Sequence, residues 1–141
     1  MAMSWKAEVG INHTPAYQVS GRPFASASVK YDNSARVVEF PYVTRWIQVV
    51  NKSTKPLRVG YSAAGVVGAQ TTGHGDAYYF TVDASGSNGY GKSETYEVKV
   101  ASLYLYAGAA GTCDVIAGLT TIPNRRTSGS LGLNFSGSTG V

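Results

Sequence analysis

Residues 43–62, VTRWIQVVNKSTKPLRVGYS, contain the pattern that decides the fold class of this chain. Val43–Asn51 is the longest run rich in β-branched and aromatic residues, which favour strands. The polar stretch that follows, Asn51–Lys55, is typical of a turn. From Leu57 onward, apolar residues alternate with small or polar ones, which is the period of a half-buried strand. This stretch therefore predicts two strands joined by a turn.

Short segments of the same kind recur along the rest of the chain. Further strands are predicted at 29–31, 36–40, 77–83, 95–100, 103–106 and 112–119, with Gly-rich loops at 63–76 and 84–91. No window has an apolar stripe of helical period. Many short strands with Gly-rich turns favour an all-β sandwich or barrel. With about eight strands and loops of uneven length, a single antiparallel jelly roll fits best.

The predicted domain organisation is one folded unit with two appendages. The length of 141 residues is typical of one domain. We expect an N-terminal arm at 1–24, the jelly-roll domain at 25–123 and a flexible, Gly/Ser-rich C-terminal tail at 124–141. Part of the arm has the alternation of a strand. The apolar members of that alternation are Trp5, Ala7, Val9 and Ile11.

The C-terminal tail contains a pattern that a purely solvated segment does not need. Leu131, Leu133 and Phe135 alternate with other residues inside it. We hypothesise that these three side chains contact a neighbouring subunit, for example by adding a strand to the edge of its sheet. The alternative is a frayed terminus.

The composition limits the partners of the protein. Charged residues make up 14% of the chain, below the ~25% of ordinary soluble domains. A surface poor in charge suits a protein that is covered by neighbours, because desolvating charges at an interface is costly. The net charge is +4, and the basic residues are spread along the sequence. Nucleic-acid binders gather such charge on one face, so no specific nucleic-acid partner is expected.

Cysteine usage and hydropathy indicate a soluble protein made in a reducing compartment. Cys113 is the only cysteine, so no intrachain disulfide can form. It lies in an alternating segment, 112–115, which predicts a buried core thiol. The N-terminus lacks the apolar segment of a signal peptide, and no apolar run is long enough to span a bilayer. Membrane insertion is therefore not expected.

The segment Gly86–Ser93, GSNGYGKS, matches the P-loop pattern G-x-x-x-x-G-K-S at every fixed position. A phosphate-binding loop of this kind needs a strand before it and a helix after it, since the helix N-terminus helps to hold the anion. The residues that follow, 94–100, are β-branched, aromatic and alternating, which predicts a strand. We therefore interpret the match as a hairpin loop without nucleotide-binding function.

No other catalytic or metal-binding pattern emerges. His13 and His74 lie far apart in the sequence and form no metal spacing with Cys113. Glu39, Glu94 and Glu97 have the spacing of polar strand faces, and nothing singles out a catalytic pair among them. The sequence thus predicts no catalytic residue, cofactor or metal, and no enzymatic activity. Three N-glycosylation patterns begin at Asn12, Asn51 and Asn134, and such matches are common by chance.

Tyrosine is frequent, and two of its positions share one strand face. Tyr104 and Tyr106 share the strand face opposite Leu103 and Leu105. Either face can offer aromatic area to a partner, because tyrosine combines apolar area with a hydroxyl group. The alternative is a wide core that both faces share.

Three stretches resemble a known family of virus proteins. They are VEFPYVTRWIQVVN at 38–51, LRVGYSAAGV at 57–66 and CDVIAGLTTIP at 113–123. They are similar to the small single-jelly-roll penton proteins, which close the five-fold vertices of nucleocytoplasmic large DNA viruses, and most closely to those of chlorella-infecting viruses. The similarity covers most of residues 35–123, on structural strand sequences rather than catalytic motifs.

The resemblance implies a structural capsid protein of a large icosahedral double-stranded DNA virus. A vertical eight-stranded jelly roll would assemble as a homopentamer at each vertex. Its partners would be further copies of itself, the major capsid protein and other minor capsid proteins. Its location would be the virion capsid, assembled in the host cytoplasm. No catalytic residue can be transferred from the family.

Other functions remain open at this stage. A minor cement protein of the same capsid differs from a penton only in its location. A carbohydrate-binding jelly-roll module would stack sugars on exposed aromatic rings. The candidate rings are Tyr42, Trp46, Tyr78, Tyr79 and Tyr90. An NTPase would use the P-loop match.

Overall fold

The computed structural model describes residues 22–68, 78–87, 89–128, 134 and 141, which form two antiparallel sheets with very little helix. The strands are β1 (Arg22–Tyr31), β2 (Arg36–Glu39), β3 (Tyr42–Asn51), β4 (Leu57–Gly60), β5 (Tyr79–Val82), β6 (Gly91–Lys92), β7 (Ser102–Tyr106) and β8 (Gly111–Pro123). A short helix, α1 (Ala63–Val67), and a 3₁₀ helix, η1 (Asn124–Thr127), complete the described elements. The prediction of an all-β sandwich is confirmed.

The strand order is nested. The first sheet has the order β1-β8-β3-β6, and the second has β2-β7-β4-β5. Each strand of the first half of the chain therefore pairs antiparallel with its counterpart from the second half. The pairs are β1 with β8, β2 with β7, β3 with β6 and β4 with β5. Two further pairs, β3 with β8 and β4 with β7, complete the two sheets.

The hydrophobic core lies between the two sheets. Alternate residues of the long strands face inward, as period-two patterning requires. Ile47 and Val49 of β3 lie directly opposite Ala117 and Val115 of β8, and all four are buried. The second sheet contributes Leu57, Val59, Leu103 and Leu105, each fully buried. Burying a Val or Leu side chain contributes roughly 1.5–3 kcal/mol, so these alternating positions supply much of the stability.

The sequence analysis located most strands, but two of them extend beyond their predicted bounds. The strand predicted at 29–31 begins seven residues earlier, at Arg22, so residues 22–24 of the predicted arm belong to the first sheet. β8 likewise continues past residue 119 to Pro123. The extension of β1 places polar and small residues opposite β8, where the strand signal in the sequence is weak.

The loop predicted at 63–76 begins instead with a helix. α1 starts after Ser62, whose Oγ accepts a hydrogen bond from the backbone N–H of Gly65 at 3.0 Å. It ends at Gly68, which adopts the left-handed conformation with φ 67°. Ser before and Gly after a short segment are helix boundary signals. A helix of five residues is too short to show an apolar period.

Residues 95–100, predicted as a strand, do not form a regular strand, although they lie alongside β3. Backbone pairing with β3 is present but interrupted. Tyr96 and Ile47 exchange two backbone hydrogen bonds at 2.9 Å, and the Thr44 N–H donates to the Val100 carbonyl at 2.9 Å. Elsewhere side chains intervene. Ser93 Oγ accepts from the Val49 N–H at 2.9 Å, and Thr44 Oγ1 donates to the Val98 carbonyl at 2.6 Å. The alternation therefore indicated a segment that pairs with β3 in part, without a continuous ladder.

The described part of the predicted C-terminal tail is packed on the sandwich. η1 continues directly from β8, and Asn134 is 1% exposed. The folded unit therefore extends beyond residue 123. The candidate subunit-contact residues Leu131, Leu133 and Phe135, and residues 1–21 of the arm, lie outside the described residues.

The strand connections divide into two ends of the sandwich. The β1–β2, β3–β4, β5–β6 and β7–β8 connections lie at one end, which we call the four-loop end. Ser85 N–H donates to the Ser53 carbonyl at 2.8 Å, and Ala107 N–H donates to the Asp32 carbonyl at 3.1 Å, so these connections bind one another. The described residues of the remaining connections, together with η1 and Asn134, lie at the opposite end, which we call the tail end.

Candidate interaction surfaces

The described residues of the P-loop match lack the strand–loop–helix arrangement of a phosphate-binding loop. Gly91 and Lys92 form β6 and pair with Asn51 and Val50 of β3. The residue that would hold Mg²⁺, Ser93, uses its Oγ to accept from Val49 N–H and to donate to the Glu94 carbonyl at 2.8 Å. A strand and an irregular segment follow the loop in place of a helix, so no helix N-terminus faces an anion there.

Cys113 lies in the core, as the sequence predicted. It is fully buried, and this burial raises the pKa of its thiol to about 12, which keeps the sulfur protonated and unreactive. Among the described residues, no group of three or more His, Cys, Asp or Glu side chains is placed to hold a metal ion. His13 and His74 lie outside the described residues. Glu39, Glu94 and Glu97 are exposed, the first on β2 and the others beside β3.

The four-loop end is organised around the buried side chain of Asn51. Its Oδ1 accepts from Tyr31 Oη at 2.7 Å and from the Ser53 N–H at 3.0 Å. Its Nδ2 donates to the carbonyl groups of Lys55 at 2.8 Å and Asp83 at 3.1 Å. One side chain thus ties β1, the β3–β4 turn and the residues after β5 together. Sequence analysis placed Asn51 only at a strand end.

A shallow groove of about 570 Å³ opens beside this end. Lys30, Asp32, Arg36 and Gly111 are among the residues that line it. Arg36 binds both oxygens of Asp32, and these hydrogen bonds, with one from Ser34, lower the pKa of the Asp32 carboxyl to about 2. The charges of Asp32 and Arg36 are thereby paired within the turn, and Lys30 adds a second exposed cation to the groove.

The outer side of the second sheet presents a tyrosine surface, which we define as Arg58, Tyr79, Tyr104 and Tyr106. Leu103 and Leu105 are fully buried, so the two tyrosines of β7 face outward. The guanidinium of Arg58 lies over the ring of Tyr79 at 4.4 Å and over that of Tyr106 at 5.3 Å. Tyr106 Oη donates to Asn33 Oδ1 at 2.8 Å. Stacked Arg and Tyr side chains are typical of interface centres.

The aromatic residues considered for sugar binding do not converge. The indole of Trp46 covers Gly118 so closely that a Cβ there would overlap it. That places Trp46 on the first sheet, whereas Tyr79 lies on the second. Tyr42 stacks with Arg22 at 4.6 Å, and Tyr90 is 56% exposed at the four-loop end. Rings that lie on separate surfaces cannot stack on one small saccharide.

The tail end has its own buried asparagine, which sequence analysis missed. Asn134 Oδ1 accepts from the backbone N–H groups of Ala101 and Ser102, and Nδ2 donates to the carbonyl of Tyr61 at 3.2 Å. Nδ2 also donates to the carbonyl and hydroxyl oxygens of Ser102. The Asn134 N–H donates to Thr127 Oγ1 at 3.0 Å. Asn134 therefore anchors the C-terminal segment to the ends of β4 and β7.

Burial also bears on the glycosylation patterns. The Nδ2 atoms of Asn51 and Asn134 are committed to backbone carbonyls inside the protein. In the folded state neither amide can receive a glycan, because attachment would require breaking these bonds and exposing the side chain. The third acceptor, Asn12, lies outside the described residues.

Comparisons of the chain with protein-family models, with curated proteins and with solved structures found no match. No helix among the described residues is long and apolar enough to cross a membrane.

Proposed function

We propose that the sandwich is a single jelly roll. Its nested pairing is the supporting observation. A chain that pairs its first strand with its eighth, its second with its seventh and so on is one long antiparallel hairpin with its tip at β4–β5. Rolling such a hairpin into two sheets produces the strand order of the double Greek key.

We further propose that the protein is a structural component of an icosahedral virus capsid, a homopentamer at the five-fold vertices. The nested strand order supports this function, since the sequence resembles vertex proteins built on that topology. The charge-poor composition and the tyrosine surface with its stacked Arg58 agree with a protein covered by neighbours. Further copies of the chain, the major capsid protein and other minor capsid proteins are the proposed partners.

The assembly state of the purified protein tests this proposal. Light scattering and two-dimensional electron-microscopy classes would be recorded with and without the capsid partner. Five-fold rings are expected, and they would separate a vertex protein from a monomeric binding module. A monomer that does not bind the capsid protein would overturn the proposal. A glycan array on that monomer would then examine the carbohydrate-binding alternative, against which the separation of Trp46, Tyr79 and Tyr90 argues.

The position within the capsid needs a second measurement, because a cement protein differs from a penton only in where it binds. Labelling the protein in assembled particles and imaging them locates it. Density confined to the five-fold vertices is the expected result. Density between capsomers away from the vertices would assign the chain to the cement proteins.

A further inference from the structure

The longest sheet edge among the described residues is the outer edge of β1. Four strands lie at sheet edges, namely β1, β2, β5 and β6. β2 and β5 have four residues each and β6 has two, whereas β1 has ten. An edge strand presents backbone N–H and C=O groups that can pair with another extended chain. Short edges limit that pairing, and β1 is not short.

The middle of β1 lacks the usual protection of an edge. Natural edge strands are blunted by charged side chains, proline or bulges. Between Arg22 and Lys30 the sequence is PFASASV, without a charge. Pro23 and a bulge at Ser28, with φ 56°, bound an open stretch at Phe24–Ala27. The Ser28 N–H is turned to Asp114 Oδ1 at 2.9 Å, so it is not available to a partner strand.

The core is also incomplete beside this edge. Phe24 and Val29 are only half-buried, although both pack against the core. The ring of Phe24 meets that of Phe40 edge-on at 4.9 Å. A strand added beside β1 with apolar side chains on its inner face would cover these two residues. The edge therefore fits an extended segment with alternating apolar residues.

Outside residues 22–128, two segments of this sequence have that alternation, and the position of Asn134 distinguishes them. Leu131–Phe135 surrounds Asn134, which is anchored at the tail end of its own sandwich. The other segment is Trp5–Ile11 in the N-terminal arm. The ten residues between it and β1 can span up to about 33 Å, at about 3.3 Å per residue, which is enough to reach an adjoining copy.

We propose that Trp5–Ile11 of one copy pairs with the open stretch of β1 in a neighbouring copy. This inference rests on the proposed pentamer. Each copy would donate one strand and receive one, which is a heterologous contact, and such contacts close into rings when the rotation allows. The donated apolar residues would bury Phe24 and Val29 of the recipient.

Cysteine cross-linking in the full chain tests the proposal. The double variant with Glu8→Cys and Ala25→Cys is oxidised and analysed on a denaturing gel, because Glu8 alternates with the apolar arm residues and would lie on the same outer face as Ala25. Covalent oligomers up to the pentamer are expected. A matched control pairs Glu8→Cys with Ala64→Cys, which places the second thiol on the exposed side of α1, and it should give none. The native Cys113 is buried and will not compete.

The other outcomes decide against the proposal in distinguishable ways. A disulfide formed within one copy would mean that the arm pairs with its own β1. The absence of any disulfide would mean that the arm does not pair with β1. Light scattering on the unoxidised sample reports on the pentamer separately from the strand exchange. Rings without the intermolecular cross-link overturn the strand exchange but leave the pentamer, whereas monomers overturn both.

An edge-blocking variant gives a second readout that does not depend on the cross-link register. Ala25→Lys places a charge on the exposed edge, where lysine prevents strand pairing. We expect a folded protein, by circular dichroism, with a lower fraction of rings. Ala64→Lys, a lysine at the exposed α1 position, should leave the rings unchanged. An unchanged ring fraction in Ala25→Lys would overturn the strand exchange.

Discussion

The two ends of the sandwich bind unpaired backbone groups with asparagines from different parts of the chain. Each end contains backbone groups that the sheets leave unpaired, and each satisfies them with one buried asparagine. At the four-loop end this is Asn51, which belongs to β3. At the tail end it is Asn134, which follows η1 and comes from outside the eight strands.

The difference has a thermodynamic consequence. Asn51 bonds to Ser53 and Lys55 in the turn that follows it as well as to Tyr31 and Asp83, and its own strand is held by β6 and β8. Asn134 lies outside the strands and bonds to groups at the ends of β4 and β7. Its bonds can therefore break without separating any strand pair. The tail end should therefore open at a lower free energy than the four-loop end.

The largest expected effect is that of Asn51→Ala. The substitution leaves Tyr31 Oη, the Ser53 N–H and two carbonyl groups without their partner. Because each buried unsatisfied group costs about 1–3 kcal/mol, we expect the free energy of unfolding to fall by about 3–4 kcal/mol, measured by urea denaturation. Asn33→Ala, which removes an exposed hydrogen-bonding partner in the β1–β2 turn, is the control and should cost under about 1 kcal/mol. Equal losses would show that Asn51 has no special role.

Asn134→Ala should cost less, about 2 kcal/mol, because Asn134 lies outside the strands and water can reach the groups it leaves at the strand ends. The more specific measurement is amide hydrogen exchange. The N–H groups of Ala101 and Ser102, which donate to Asn134 Oδ1, should exchange faster, while the Ser53 N–H should not change. Uniformly faster exchange at both ends would contradict the independence of the two ends.

The same contrast explains how much of the molecule could be predicted from the sequence. Strands such as β3 and β7 were located because their alternating residues report directly on which face is buried. The role of Asn134 left no such signal. An asparagine in a Gly/Ser-rich segment has the composition of a flexible tail, and its partners lie far away in the sequence. Only the three-dimensional arrangement brings them together.

The tyrosine surface likewise combines one feature that the sequence predicted and one that it could not predict. The alternation of Tyr104 and Tyr106 with two leucines predicted that the tyrosines share one strand face, but it left open which of the two faces is outward. The stacking of Arg58 between Tyr79 and Tyr106 could not be predicted, because it depends on the pairing of β4 with both β5 and β7. Sheet order is a property of the whole chain and not of any local window.

A smaller effect is expected from Tyr31→Phe at the four-loop end. The variant removes the hydroxyl that donates to Asn51 Oδ1, but this oxygen keeps the Ser53 N–H as a donor. The ring remains in the core, so the loss should be about 1 kcal/mol in thermal or urea denaturation, the usual net value of one hydrogen bond. Tyr106→Phe is the matched control, because its hydroxyl bonds to an exposed Asn33, and it should change stability less. A reversed order would mean that the Asn51 cluster is not the tighter of the two networks.

The smallest effect concerns the rim of the four-loop end and depends on pH. The hydrogen bonds from Arg36 and Ser34 lower the pKa of Asp32 from 3.8 to about 2. Because the folded state favours the ionised carboxylate, its stabilisation is complete above the unfolded pKa near 3.8 and is lost as the pH falls through about 2. Asp32→Asn should lower the melting temperature slightly at neutral pH and match the wild type at about pH 2. The Asp32 side chain is 38% exposed, so salt should also shrink the difference at neutral pH. A difference that is the same at pH 2 and pH 7 would show that the amide disturbs the turn for a reason other than charge.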